Sequence, residues 1–384
     1  MAKEVIGDIN LEMLKEFSEA HGISGCEREV SRVMKRWMSP YADEIFYDNL
    51  GSIVGLQKGD PEGVSLMIAG HMDEVGFLVR EIDKKGFIRM LPVGGWWGHV
   101  LPGHTLVVTT REGKRYQGVV GSSAPHGLSK EVKEKVMKPA DLFLDMGVDD
   151  REEIEELGIQ IGDMITPDTR FSVMNNPNYL MGKAWDDRLC AAMVVDVMRL
   201  LREGHHGCNL YGVGTVQEEV GLRGARTAAN LLRPDVAIAL DVTTSMDTPM
   251  DQGTNGLGKG VVLSVMDAGI IGSKAMLKEL EGICRDLNLG INYDMMTVGG
   301  TDADNIHKAH DGVVTLTLSI PTRYMHSHRL IVHRRDYWET VQLMAEFARR
   351  LDWELLKKLK EHERAPETKI RTPEGPARDG AFLF

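Results

Sequence analysis

The sequence predicts an α/β fold: an α/β domain into which a small all-β unit is inserted. Unbroken apolar runs at residues 64–69 and 236–240 are typical of strands buried on both faces of a sheet. A segment with helical spacing at residues 187–201 lies between them. Residues 75–178, by contrast, contain short alternating segments joined by turns, a pattern typical of a small all-β unit.

The composition argues against several classes of protein. With 384 residues, 42% of them hydrophobic, the chain can bury the cores of two domains. Its net charge of −12 is spread along the chain, which argues against a nucleic-acid partner or an anionic membrane surface. Because neither a signal-peptide pattern nor an apolar run of about 18 residues is found, we expect a cytoplasmic protein that does not span a membrane. The four scattered cysteines predict reduced, mostly buried thiols.

Helices and strands alternate on both sides of the insertion. The predicted helices lie at residues 11–19, 27–38, 187–201, 222–230 and 273–288, with one long amphipathic helix at 337–361. The predicted strands outside the insertion lie at residues 52–56, 64–69, 208–215, 236–240, 261–265 and 312–320.

These elements divide the chain into four parts. Residues 1–74 and 179–362 form the two halves of the α/β domain, and residues 75–178 form the insertion. Residues 363–384 are rich in proline, glycine and charge, so we expect them to form a mobile tail.

Side chains that suit metal ions follow four of the predicted strands. In an open α/β sheet, ligands bind at the carboxyl ends of the strands. The residues at these ends are His71, Asp73, Glu218, Glu219, Asp241 and His326, and Asp186 lies where a helix begins. A helix cap, a turn former or a hydrogen-bonded histidine would explain any one of them. Their joint placement predicts a site.

The chemistry that fits this set is a two-metal hydrolase. Oxygen and imidazole ligands without thiolate suit zinc, cobalt or manganese, and two such ions about 3.5–4 Å apart share a bridging carboxylate. Neighbouring side chains diverge on extended backbone, so one of Glu218 and Glu219 can bind metal while the other acts as a base. The spacing permits either assignment. Asp73 can accept the second N–H of His71.

Six ordered motifs carry a resemblance that extends from about residue 10 to residue 355. They are Gly70-His71-Met72-Asp73-Glu74-Val75-Gly76, Lys183-Ala184-Trp185-Asp186-Asp187-Arg188, Gln217-Glu218-Glu219-Val220-Gly221-Leu222-Arg223-Gly224-Ala225, Leu240-Asp241-Val242-Thr243, Gly299-Gly300-Thr301-Asp302-Ala303 and Arg323-Tyr324-Met325-His326-Ser327. Together they resemble the TET-type aminopeptidases, which include the glutamyl and deblocking aminopeptidases. The resemblance implies a mixed-sheet α/β metallopeptidase catalytic domain, an inserted β-barrel-like dimerisation domain, and dimers that assemble into a tetrahedral dodecamer.

The resemblance also implies roles for the residues. Asp186 would bridge two divalent ions, zinc or cobalt first and manganese as a further option. His71 and Asp241 would bind one ion, and Glu219 and His326 the other. Glu218 would be the general base that removes a proton from the attacking water, and Asp73 would orient His71. The substrates would be short peptides, which lose their N-terminal residues.

The chain departs from the family after His326. Members usually have a proline and then an acid there, whereas this chain has His328 and Arg329. We expect His328 to be an exposed residue at the pocket rim, with a position just behind the metal ligands as the alternative.

Other functions would use some of the same residues. A related dinuclear-metal deacylase or carboxypeptidase would share the ligands. A glycosidase also needs two carboxylates, but they stand about 5 Å or more apart and act without metal. A shell protein with a structural metal would use a closed ligand set, and the spare Glu218 argues against it.

Overall fold

The computed structural model describes residues 4–251 and 253–362. Its helices are α1 (Leu11–Glu19), α2 (Arg28–Met38), α3 (Lys130–Lys133), α4 (Arg151–Glu156), α5 (Trp185–Arg202), α6 (Arg223–Leu232), α7 (Lys274–Asp286), α8 (Ala303–Ile306), α9 (Arg334–Arg350) and α10 (Trp353–His362). The tail predicted at residues 363–384 lies outside the described residues.

Within the described ranges, the strands form three sheets. They are β1 (Glu44–Tyr47), β2 (Ile53–Gln57), β3 (Ser65–His71), β4 (Gly76–Ile82), β5 (Ile88–Val93), β6 (Thr105–Thr109), β7 (Arg115–Gly121), β8 (Phe143–Asp145), β9 (Met164–Pro167), β10 (Ser172–Val173), β11 (Tyr179–Gly182), β12 (Asn209–Thr215), β13 (Val236–Thr244), β14 (Val261–Met266), β15 (Ile291–Met295), β16 (Val314–Thr322) and β17 (Leu330–His333).

The main sheet has eight strands in the order β1-β2-β12-β3-β13-β16-β14-β15. The central strands β12, β3, β13 and β16 are parallel, and β2 and β14 run antiparallel to their inner neighbours. Between β3 and the second half of this sheet, six antiparallel strands close into a barrel in the order β4-β5-β8-β7-β6-β9. The prediction of a mixed-sheet α/β domain with an inserted β-barrel is confirmed.

Alternate residues of the central strands face two layers of helices, which explains their unbroken apolar runs. Leu66 and Ile68 of β3 pack in one cluster with residues of α1, α5 and α9. Met67 and Ala69 pack on the other face with residues of α6 and α8. The four cysteines are free thiols, and three of them are buried. In the described part of the chain, no helix is long and apolar enough to cross a membrane.

The predicted long helix at residues 337–361 is wrong. The structure has two helices, α9 and α10, with extended backbone at Leu351. Asp352 begins the second helix, because its carboxylate accepts a hydrogen bond from the Leu355 amide at 2.7 Å. The amphipathic spacing continues across the break, so periodicity alone did not detect it.

A small third sheet joins two distant parts of the chain. Strand β11 pairs antiparallel with β17, with Gly182 opposite Leu330. Asp186 follows Gly182 by four residues, and His326 precedes Leu330 by four. The pairing therefore brings Asp186 and His326 to the same end of this sheet.

Candidate metal centre

The predicted site residues meet at the carboxyl ends of the parallel strands. His71 is the last residue of β3 and lies opposite Thr215, the last residue of β12. Glu218 and Glu219 follow in the turn after Thr215, and Asp241 lies in the next strand of the sheet, β13.

Among the described residues, the potential ligand atoms form three overlapping groups. Within each group they all lie within 4.8 Å of one another. The inner group contains His71, Asp186 and Asp241, the outer group contains Asp186, Glu219 and His326, and the third group contains His71, Glu218 and Glu219. Asp186 belongs to both the inner and the outer group.

The carboxylate of Asp186 stands between two imidazoles. Its Oδ1 lies 3.2 Å from Nε2 of His71, and its Oδ2 lies 3.2 Å from Nε2 of His326. Asp186 and Asp187 have non-helical backbone angles at the start of α5, and the peptide bond between them is cis. The alternative interpretation of this pair as a simple helix cap is wrong, because α5 has no side-chain cap and both carboxylates turn towards the strand ends.

Asp73 ties the two strand ends together. Its Oδ1 accepts a hydrogen bond from the Glu218 amide at 3.0 Å, and its Oδ2 accepts one from the Glu219 amide at 3.1 Å. The hydroxyl of Ser24 donates to the same carboxylate at 2.6 Å. Nδ1 of His71 lies 3.0 Å from the backbone carbonyl oxygen of Asp73 and 3.5 Å from its Oδ1. Asp73 thus contacts both the imidazole of His71 and the backbone amides of the two glutamates.

Burial raises the pKa of most carboxyl groups in the site. It raises the pKa of Glu218 and of Asp241 well above the ordinary range, and it raises the pKa of Glu219 to about 8. Although burial also acts on Asp186, the imidazoles of His326 and His71 hold its pKa below the ordinary value.

The two histidines respond to this negative charge. Burial lowers the pKa of His326, but Asp186 and Glu219 outweigh it and raise the pKa to about 10. Likewise, the carboxylates of Glu218, Asp186 and Asp73 outweigh burial and hold the pKa of His71 well above its usual range.

These residues fit a pair of divalent cations. The carboxylates outnumber the imidazoles, so cations would supply the missing positive charge. Oε1 of Glu219 is buried and has no hydrogen-bond partner among the described residues. Oxygen and imidazole donors without thiolate match the preferences of zinc, cobalt and manganese.

Several residues around the site were not predicted. Oδ2 of Asp187 accepts a hydrogen bond from the His71 amide at 3.1 Å. The buried guanidinium of Arg188 donates to the carbonyl of Met72 at 3.0 Å and forms an ion pair with Glu74 at 2.9 Å. The charged residues of the Lys183-to-Arg188 motif could have indicated these contacts. Their burial, however, depends on the packing of α1 against α5, which the sequence does not show.

The expectation that His328 is exposed is wrong. His328 is 2% exposed, and its ring stacks on that of His104 from the barrel, with centroids 3.9 Å apart. Neither ring nitrogen has a hydrogen-bond partner among the described residues. Burial lowers the pKa of His328 to about 3, so the ring is neutral and packs as an apolar group.

A cleft of about 530 Å³ lies away from these groups. It is lined by Asp235 and Val314, at the amino ends of β13 and β16, whereas the ligand groups lie at the carboxyl ends. The rule for open α/β sheets favours the carboxyl ends as the functional site.

The chain resembles known aminopeptidases over most of its length. The family model of the M42 glutamyl aminopeptidase matches residues 51–343. The lysyl aminopeptidase of Pyrococcus furiosus is 34% identical over 341 residues, which cover 87% of this chain and 95% of the relative.

Two solved structures share the fold. A TET aminopeptidase from the marine sediment archaeon Thaumarchaeota archaeon SCGC AB-539-E09 is 37% identical with a TM-score of 0.88, covering 91% of this chain and 99% of that chain. The Pyrococcus horikoshii TET1 peptidase, which can assemble into a tetrahedron or a large octahedral shell, is 32% identical with a TM-score of 0.78. That match covers 89% of this chain and 99% of the TET1 chain.

Proposed function

The chain belongs to the M42 glutamyl aminopeptidase family, and on that premise we propose that it removes N-terminal residues from short peptides with two divalent ions bound at the inner and outer groups. It is an aminopeptidase of a metallopeptidase family. The proposal assigns Asp186 as the shared ligand, His71 and Asp241 as ligands of one ion, and Glu219 and His326 as ligands of the other.

One observation carries the assignment. The two oxygens of the Asp186 carboxylate each lie 3.2 Å from a different imidazole, so a single side chain belongs to both groups. Neither of these two groups includes Glu218, so Glu218 is free to act as the general base. Zinc or cobalt is the proposed metal, with manganese as a further option, because the donor sets of these ions overlap.

The residues of the chain divide the chemistry between them. Bound ions would lower the pKa of water and polarise the scissile carbonyl group of the peptide. Glu218, 8% exposed and held through its backbone amide by Asp73, would accept a proton from the attacking water and deliver it to the leaving amine. Burial raises the pKa of Glu218 above the ordinary range of a glutamate. Asp73 would orient His71.

The test is a panel of aminoacyl chromogenic substrates with N-acetylated controls. The enzyme is assayed after chelation and after re-addition of zinc, cobalt or manganese. We expect hydrolysis of free aminoacyl substrates only, lost on chelation and restored by metal. Cleavage of the acetylated controls would favour the deacylase, release of C-terminal residues from peptides would favour the carboxypeptidase, and chelator-resistant activity on a glucan would favour the glycosidase.

We also propose that residues 75–178 join subunits, first into dimers and then into a tetrahedral dodecamer in the cytoplasm. Support comes from the inserted barrel and from relatives such as the TET1 peptidase, which can assemble into a tetrahedron. Light scattering on the intact protein should give a mass far above the 42.7 kDa of one chain. A monomer at micromolar concentration would contradict the assembly and leave the chemistry untouched.

A further inference from the structure

We infer that the inserted barrel helps to form the metal centre. The backbone of Gly95 orients His326, and this contact affects metal binding at the outer group alone. The inference rests on the proposed pair of metal ions. It assigns Gly95 as a positioning residue, and it makes metal binding at the outer group dependent on the barrel.

The barrel reaches the outer group through residues 94–97, which directly follow β5. The carbonyl oxygen of Gly95 lies 2.7 Å from Nδ1 of His326, while Nε2 of the same ring faces Asp186. An imidazole that binds metal through Nε2 carries its proton on Nδ1, and the acceptor of that proton fixes the tautomer and the ring orientation. Gly95 supplies this acceptor from the inserted domain.

The backbone of this loop closely approaches His326 and Glu219, which are the members of the outer group other than Asp186. A Cβ atom on Gly95 would lie 2.9 Å from Nδ1 of His326. A Cβ atom on Gly94 would lie 3.0 Å from Oε2 of Glu219 and 2.7 Å from Cγ1 of Val75. A residue with a side chain at either position would displace a proposed ligand or its neighbour, so the two glycines are required by this approach.

Aromatic packing fixes the loop to the barrel. The ring of Trp96 stacks on Phe77 of β4, with centroids 5.1 Å apart, and its Nε1 donates to the Gly76 carbonyl at 3.1 Å. Trp96 also contacts His328, which stacks on His104. His326 and His328 are therefore both anchored to the barrel, the first by a hydrogen bond and the second by its ring.

The inner group is held from within the α/β domain. The amide of His71 donates to Asp187 at 3.1 Å, and its Nδ1 lies 3.0 Å from the Asp73 carbonyl oxygen. Oδ1 of Asp241 accepts from the Val242 amide at 2.7 Å. Because these contacts come from the strand ends and α5, a change in the loop at residues 94–97 should leave the inner group intact.

The experiment compares Gly95→Ala with Gly127→Ala. Neither glycine has a positive φ, and both belong to the inserted domain. A Cβ on Gly127 would meet nothing within 4 Å, so this variant is a matched control. Metal-free wild type and variants are titrated with zinc by calorimetry, and the absorption spectrum of the cobalt form reports the geometry of each ion. Thermal melts of the metal-free proteins confirm that they are folded.

Wild type and Gly127→Ala should bind two ions per chain. Gly95→Ala should keep one ion at wild-type affinity and bind the second about 10- to 100-fold more weakly, with one cobalt signature altered. Trp96→Phe loses the hydrogen bond to the Gly76 carbonyl but keeps a ring over Phe77. It should lower the affinity for the same ion by a smaller factor. This variant tests the inference if Gly95→Ala does not fold.

Two wild-type-like affinities in Gly95→Ala, or equal weakening of both ions, would overturn the inference. A wild type that binds fewer than two ions would instead overturn the proposed function, so the two failures are distinguishable.

Discussion

The inner and outer groups of the metal centre share Asp186, but they differ in what surrounds them. His71 ends a central strand and its side chain is 2% exposed, whereas the side chain of His326 is 37% exposed on a loop with a φ of 55°. A strand end places a ligand by the regular geometry of the sheet. A loop needs a separate support, and here the inserted barrel provides it. The inner group therefore depends on the geometry of the sheet, and the outer group depends on the contact with the inserted barrel.

The largest expected effect comes from the residue that both groups share. Asp186→Asn removes the charge that faces His71 and His326, so both ions should be lost and peptide hydrolysis should fall by more than the roughly 100-fold typical of changes behind the ligands. Metal analysis of the purified variant measures this. Full occupancy would contradict the role of Asp186 as a bridge.

The neighbouring glutamates offer a matched pair. Glu218→Gln should keep both ions and lower kcat by about 10²- to 10⁴-fold, because a general base contributes that much. Glu219→Gln should instead lose the outer ion, since Glu219 belongs to the outer group. Metal content and turnover measured together separate the two roles. A near-wild-type rate in Glu218→Gln would rule out Glu218 as the base.

Metal affinity should rise with pH. In the metal-free protein the pKa of His326 is raised to about 10, because Asp186 and Glu219 outweigh the effect of burial. Both ring nitrogens of His326 are therefore protonated between pH 6 and pH 8, and a metal ion must displace one of these protons to bind. Affinity should increase about tenfold per pH unit for each proton released, or about 100-fold over this range for one proton. Calorimetry in buffers of different ionisation enthalpy counts the protons, and a flat affinity would refute the prediction.

The smallest effect is expected behind the ligands of the inner group. Asp73→Asn places an amide N–H₂ against the donors that now bind its carboxylate, which costs about 1–3 kcal/mol for a buried unsatisfied group. Metal affinity should fall about 10- to 100-fold. Ser24→Ala removes a single donor to the same carboxylate and should have a smaller effect. A larger loss in Ser24→Ala than in Asp73→Asn would contradict this account of the carboxylate.

The sequence predicts the part of the site that regular structure determines. Strands end where apolar runs end, and parallel strands end at one edge, so His71, Glu218, Glu219 and Asp241 could be expected together. The change in periodicity at about residue 75 predicts the inserted all-β unit, whereas the mixed sheet and the barrel form were implied by the family resemblance.

The remainder depends on contacts between distant parts of the chain. Gly95 and His326, which form a hydrogen bond, are 231 positions apart in the sequence. His328 packs against His104 of the barrel. Neither contact leaves a periodic signal, and a histidine beside an arginine resembles an exposed residue. The pairing of β11 with β17, which brings Asp186 to His326, is equally non-local.

Crystals of the metal-loaded protein, measured at the absorption edge of the metal, test the central claim most directly. We predict two anomalous peaks per chain, one within bonding distance of His71, Asp186 and Asp241 and one within bonding distance of Asp186, Glu219 and His326, with Glu218 bound to neither. A single peak, or a peak in the third group with Glu218 as a ligand, would contradict the account.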